Sequence, residues 1–205
     1  EKIRLRYEED PAVLNSEDLG ATDVLLLYAN HNDLSPEQEA ALLEFVEAGG
    51  GFVPVHCASA CFGHSNAFVD LVGARFHRHG YESFATTIAP GAEAHPVMAG
   101  YQGFVTEDET YEHIDHNESD RTVLMYRENE PWTWVRRQGE GRVFYTAYGH
   151  DLKTWSQPEF HDLLIRGILW AAGDAKKASN RARVENMPAL AYDPADTIPN
   201  YRKQS

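Results

Sequence analysis

The hydrophobic positions of this chain change period several times, and each change marks an element. Ile3, Leu5 and Tyr7 alternate with Arg4 and Arg6, which predicts a half-buried strand over Ile3–Tyr7. The run Asp23–Tyr28 carries four consecutive apolar residues, Val24 to Leu27. It predicts a strand covered on both faces, as in parallel sheets. Ser35-Pro36-Glu37-Gln38 has the form of a helix start: Ser35 caps, Pro36 fits the first turn and Gln38 closes a capping box. Leu42, Phe45 and Val46 follow at helical spacing, and Gly49-Gly50-Gly51 ends the helix. Gly51–Val55 predicts a second buried strand, with a local irregularity where Pro54 removes a ladder donor. Ser59–Val72 predicts a helix with Phe62, Phe68, Leu71 and Val72 turned partly inward.

From Arg75 to Arg137 the patterns weaken. Tyr81–Ala89 and Arg121–Arg127 predict strands, while the polar run within Thr106–His116 predicts loops and a short strand. Gly141–Ala147 is a strong strand pattern. Ser156-Gln157-Pro158-Glu159 reads as a second capping box, followed by one helical stripe of Phe160, Leu163, Leu164, Gly167, Ile168 and Ala171. Beyond Asp174 the prolines 188, 194 and 199 and many polar residues predict an extended tail over 174–205. Residues 1–173 then form a single domain. The β-then-α alternation predicts a three-layer α/β fold.

Composition narrows the function. Hydrophobic residues make up 42% of the 205 positions, too many for a disordered chain. The formal charge of −14 argues against nucleic acid and anionic membrane partners. Its apolar runs fall short of the ~20 residues of a membrane span. A neutral small molecule such as a carbohydrate fits this balance, and self-association stays open. Cys57 and Cys61 do not make a disulfide framework, which tilts the expected location to the cytoplasm. The chain starts at Glu1 without a Met, so a periplasmic or secreted location stays open.

Ten histidines are a high count. In open α/β sheets, sites gather at the carboxyl ends of strands. His56 follows the strand ending at Val55, and His150 follows the strand ending at Ala147. A strand running at once into a helix makes a sharp turn that projects one side chain, as nucleophile elbows do. Cys57 is the rival occupant of that turn, since a thiol at a helix N-terminus can be activated. Cys57, Cys61 and His64 share helical spacing, a weak metal pattern. Glu107-Asp108-Glu109-Thr110-Tyr111 offers a carboxylate to orient a histidine, bind a metal or act as a base. His77, His79 and His95 are further candidates. Tyr148 and Trp155 could face a sugar ring, whereas Trp134 reads as core.

The ordered set GGGFVPVHCAS, HPVMAGYQGF, DETY, GEGRVFYTAYGHD and LLIRGILWAAG resembles the ThuA-like, or trehalose-utilisation, family over roughly residues 20–173. The closing IPNY resembles the tail of some members. The resemblance implies a flavodoxin-like fold similar to class I glutamine amidotransferases: a mostly parallel sheet with helices on both faces. It also implies a link to disaccharides and keto-sugars. His56, Glu109 and His150 match the family's motif positions, and His56 rather than Cys57 falls at the elbow. Family chains usually begin with another strand and helix; their apparent absence implies an incomplete sheet or a trimmed chain.

Three functions remain in view. The first is a carbohydrate-processing enzyme, a hydrolase or other carbohydrate-active enzyme. In it His56, Glu109 and His150 hold a divalent metal such as zinc or act as acid and base, on a disaccharide, glycoside or keto-sugar. His79, Tyr111, Tyr148 and Trp155 would bind substrate, and no nucleotide cofactor is expected. The second is an amidotransferase-like hydrolase using Cys57, with His150 as base and Asp151 or Glu109 as orienter. The third is a non-catalytic sugar-binding module.

Overall fold

A computed structural model describes residues 5–173. Among the expected elements, the tail 174–205 and the start of the Ile3–Tyr7 strand lie outside the described residues. Residues 5–7 belong to no strand; Leu5 and Tyr7 are exposed and Arg6 pairs with Glu8 and Asp18.

The elements run α1 (Ser16–Gly20), β1 (Val24–Leu27), α2 (Pro36–Glu47), β2 (Gly51–Pro54), α3 (Asn66–Val72), β3 (Arg75–Ala85), β4 (Thr87–Ile88), β5 (Val105–Ile114), β6 (Arg121–Arg127), β7 (Glu130–Gln138), β8 (Gly141–Thr146), α4 (Leu152–Trp155) and α5 (Pro158–Ala172). Among the described residues, six strands form one sheet in the order β1-β2-β8-β7-β6-β4. Only β1, β2 and β8 are parallel; β7, β6 and β4 continue the sheet antiparallel. The sheet is therefore mixed, not mostly parallel, because β6, β7 and β8 follow one another through tight turns instead of helical crossovers. Strand β1 is outermost, so it is half-covered and Leu26 is exposed, against the expectation of a strand buried on both faces.

Helices cover both faces of the parallel half. On one face Phe52 of β2 meets Phe68 of α3, and a Cβ on Gly141 would overlap the Val46 carbonyl of α2. On the other face α5 lies so close that a Cβ on Gly167 would come within 2.5 Å of the Phe144 ring. Alternate residues of a strand point to opposite faces, and the core forms on both sides, with Trp132, Trp134, Phe144 and Phe160 fully buried.

Local sequence accounts for the best-defined starts. Ser35 and Gln38 make both bonds of a capping box at α2. The Pro54 irregularity is present: β2 pairs with β8 through Gly51 and Phe52, then only through an isolated bridge from Val55 to Thr146. The Val55 amide bonds to Leu27 on the β1 side, so the proline's missing donor falls on the β8 side.

Three expectations are corrected. The helix over Ser59–Val72 is broken into a 3-10 turn, His56–Ala60, and α3; Phe62 lies at φ 49°, and Ser65 starts α3 by capping Phe68. Ser156 does not cap α5, which begins at Pro158 after Gln157 without a side-chain cap. The polar run near residue 109 is no loop. It is the ten-residue strand β5, which pairs along its length with β3 as a separate antiparallel ribbon.

The close approach of α2 to β8 leaves no room for a side chain at Gly141. Gly141→Ala is expected to cost about 2 kcal/mol and to lower Tm by roughly 5 °C in a thermal melt. An unchanged Tm would show that the helix is not seated on the strand in this way.

Candidate functional site

The site is assembled from three chain segments that meet beyond the carboxyl ends of β2 and β8. His56 stands one residue beyond β2, after the bridge residue Val55, and is the turn residue, at φ 49°. That left-handed conformation is uncommon for a residue with a Cβ and persists where surrounding contacts hold it. Those contacts are specific. The His56 ring lies 4.2 Å, centroid to centroid, from the Tyr111 ring in a stacked pair. Its Nδ1 is 2.8 Å from the Ala147 carbonyl oxygen at the end of β8. A carbonyl can only accept, so Nδ1 carries the proton and Nε2 keeps its lone pair when the ring is neutral.

Glu109 comes from β5 and is brought in by the ribbon register, which sets Tyr81 opposite Glu109 and His79 opposite Tyr111. Its Oε2 lies 3.3 Å from His56 Nε2, and its Oε1 lies 3.1 Å from His150 Nδ1 and 3.5 Å from His79 Nδ1. One ligand atom each from His56, Glu109 and His150 falls within 4.8 Å of the others, the spread a metal ion could gather. Exposure grades outward: the side chains of His56, Glu109 and His150 are 3%, 14% and 41% exposed. The trio therefore has one buried end and one end open to solvent.

Burial holds His56 below the ordinary histidine range, against the opposing pull of the Ala147 carbonyl, Asp108 and Glu109. The neutral ring then points its Nε2 lone pair at a carboxylate oxygen. Two acceptors at 3.3 Å repel unless a proton or a cation lies between them. The donor set, two imidazole nitrogens and one carboxylate with solvent access, suits a divalent cation with open positions.

Further residues complete the site, among them Asp108, Tyr28, Tyr81 and Lys153, to which the sequence assigned no role of their own. Asp108 is fully buried and accepts from the amides of Gly149, His150 and Glu109 and from the Thr154 hydroxyl. It ties the His150 loop to β5. Tyr28 and Trp155 both donate to the Gly149 carbonyl, each at 2.8 Å. Tyr81 sets its ring edge-on to His150 at 6.0 Å and donates to Asp151, with Lys153 beside it and paired to Glu107. Thr106, Asp108 and Thr110 alternate inward along β5, but the sequence writes this period of two entirely in polar residues, so it gives no sign that Asp108 is buried.

Other candidates separate. His79 is exposed at the mouth beside Glu109. Tyr111 is buried under His56, so it supports that ring and is closed to substrate. Tyr148 is also no substrate contact: it is fully buried among Phe84, Phe104 and Trp132, with its hydroxyl on Thr86. Trp155 is half-buried and its indole N–H is engaged. Burial, and then Cys61, push the Cys57 thiol up to about 12, and Cys61 stands at about 11, donating to the Ala29 carbonyl. Burial moves this thiol away from the activated range, which weighs against the Cys57 hydrolase. His64 is exposed and joins no ligand cluster among the described residues. Two surface grooves lie away from the trio, one of about 450 Å³ lined by Leu14 and Gln38 and one of about 520 Å³ lined by Arg137, Arg142 and Trp170.

The trehalose-utilisation (ThuA) family profile matches residues 1–171. The chain belongs to the ThuA family. No curated protein matches it in sequence. Among solved structures, the ThuA-family fold recurs in a protein described as ThuA-like from Parabacteroides merdae, with TM-score 0.69, 20% identity and coverage of 83% of this chain and 77% of that one. It recurs in another from Bacteroides uniformis, with TM-score 0.66, 20% identity and coverage of 80% and 75%. A GMP synthase component from Thermoplasma acidophilum is similar at TM-score 0.51, 12% identity and coverage of 83% and 80%. These likenesses establish the fold. ThuA membership points to a carbohydrate-related role. No helix among the described residues is long and apolar enough to cross a membrane.

The buried histidines give this ThuA chain an acid sensitivity with a definite sign. Burial lowers His56, and it also lowers His113, which sits inside the core beside Glu130. A histidine depressed in the folded state binds fewer protons there than when unfolded, so stability is complete above about pH 6.5 and is lost as pH falls below it. Each contributes a slope of at most about 1.4 kcal/mol per pH unit. Thermal melts from about pH 7 to about pH 5.5 should show Tm falling with acid, and His113→Gln should flatten that fall. A Tm that holds or rises on acidification would contradict the neutral state of these rings.

Proposed function

We propose that this ThuA-family chain is a carbohydrate-processing enzyme whose His56, Glu109 and His150 hold a divalent cation such as zinc. It would act on a disaccharide, glycoside or keto-sugar as a hydrolase or related carbohydrate-active enzyme. One observation carries the reading: the fixed His56 tautomer aims a buried nitrogen lone pair at the Glu109 carboxylate. A cation between them turns that repulsion into two ligand contacts. Bound there, it would supply Lewis-acid polarisation of a substrate oxygen.

The protein's own groups divide the remaining work by exposure. Tyr111 fixes the plane of His56, and Ala147 fixes its tautomer. His79 stands at the open side of Glu109, where a proton can pass to or from a bound molecule. Tyr28 and Tyr81, both partly exposed, flank the loop that carries His150. Aromatic rings with polar edges suit a sugar ring, whose faces are apolar and whose rim is hydroxylated. The −14 charge fits a neutral substrate.

Elemental analysis of the purified protein tests the reading. About one divalent metal per chain is expected in the wild type, and stoichiometric loss in His56→Ala and Glu109→Gln. Metal-free wild type that takes up no zinc, cobalt or manganese on dialysis would overturn it.

A further inference from the structure

A second cluster of ionisable and hydroxyl side chains lies beneath the elbow, buried except for its outer member, Glu130. Glu130 Oε1 accepts from the His113 amide at 3.1 Å and lies 2.9 Å from His113 Nδ1. His113 Nε2 lies 3.0 Å from the Tyr145 hydroxyl and 3.4 Å from Ser59 Oγ. The two hydroxyls are 3.0 Å apart, and both reach the main-chain carbonyl of His56, Tyr145 at 3.1 Å and Ser59 at 3.2 Å. Serine, histidine and glutamate in this order have the connectivity of a nucleophilic triad. Here the serine is 1% exposed and the histidine side chain 0% exposed, so no substrate reaches them. The chain of bonds is directed at the elbow instead.

We propose that Glu130, His113, Tyr145 and Ser59 form a positioning device for His56, which fixes the His56 carbonyl and thereby the direction of Nε2. The proton count shows how it works. A carboxylate only accepts, so Glu130 sets the His113 tautomer with the proton on Nδ1. His113 Nε2 then needs a donor, and Tyr145 is nearer than Ser59. With the Tyr145 proton taken, the Ser59 proton goes to the His56 carbonyl. The order of hydrogen bonds is set from the far end of the chain, and each hydroxyl can replace the other at the carbonyl. The carbonyl belongs to the residue held at φ 49°, where loss of both donors would release a strained turn. Tyr145 is itself fully buried and stacked 4.2 Å from the Trp134 ring.

The inference rests on the cation-site reading only for one of its two readouts. In metal-free protein, the ring-nitrogen NMR shifts of His56 report its tautomer directly. Zinc affinity, measured by competition with a chromophoric chelator, reports how well Nε2 is aimed. Ser59→Ala and Tyr145→Phe alone should each change zinc affinity by less than about threefold, because the remaining hydroxyl still reaches the His56 carbonyl and the acceptor left without a donor is His113 Nε2, remote from the cation site. The double variant should weaken zinc binding by about 10–100-fold, the range for partners that orient a ligand, and should show His56 in mixed tautomers. Leu42→Ala, a core truncation on α2, should lower Tm without either effect, which separates positioning from general stability. Glu130→Gln, at the outer end of the chain, should fold and disturb the His56 signals, providing a test if the double variant does not fold. Unchanged His56 signals in the double variant, or in Glu130→Gln where only that variant folds, overturn the inference. Unchanged zinc affinity in the double variant does so equally. Wild-type protein that binds no zinc defeats the functional reading, while the tautomer measurement still decides this one.

Discussion

The hydrogen bond from His56 Nδ1 to the Ala147 carbonyl spans only 2.8 Å, yet it connects the ends of two neighbouring parallel strands. It lies just beyond the Val55–Thr146 bridge, where β2 and β8 meet again after the interruption at Pro54. Because it is buried, it also fixes which imidazole nitrogen is free. Tautomer, ring direction and the facing lone pair all follow from this contact. The Tyr111 ring below and the hydroxyls behind the His56 carbonyl hold the same residue from two other sides.

The second partner arrives by a different route. Glu109 is carried on a two-stranded ribbon outside the main sheet, so its position depends on β3–β5 register. A one-residue slip would turn the carboxylate to the opposite face. Asp108 guards against that, since four donors converge on its buried carboxylate from the ribbon, the His150 loop and α4. Neighbouring acids on one strand thus have opposite tasks, one holding the frame and the other facing the histidines. The antiparallel half of the sheet also contributes: β7 and β8 supply the Trp134–Tyr145 stack against which the elbow's hydroxyl support is built.

Local signals made much of this legible. The α2 capping box involves residues three apart, and the apolar stripe of α5 needs only helical spacing, so tertiary context changed neither. The elbow was also legible, because a buried strand ending at Val55 places the next side chain at a carboxyl edge. The ribbon was not. Its inward residues Thr106, Asp108 and Thr110 are satisfied by hydrogen bonds, so an apolar count finds no strand there. His113 and Ser59 were missed for the same reason: their importance lies in partners from distant segments. Tyr148 misled in the opposite sense: two residues before His150 it would share a face with it in extended chain, but the chain leaves β8 at Thr146 and turns at Gly149, at φ 130°, so Tyr148 enters the core.

Crystals soaked with zinc or cobalt and measured at the metal's absorption edge test the central claim most directly. The account predicts one strong anomalous peak about 2.0–2.2 Å from His56 Nε2, His150 Nδ1 and a Glu109 oxygen, with the Nδ1–Ala147 contact retained. A map with no peak between these atoms, and with His56 Nε2 still at hydrogen-bonding distance from Glu109, would contradict it.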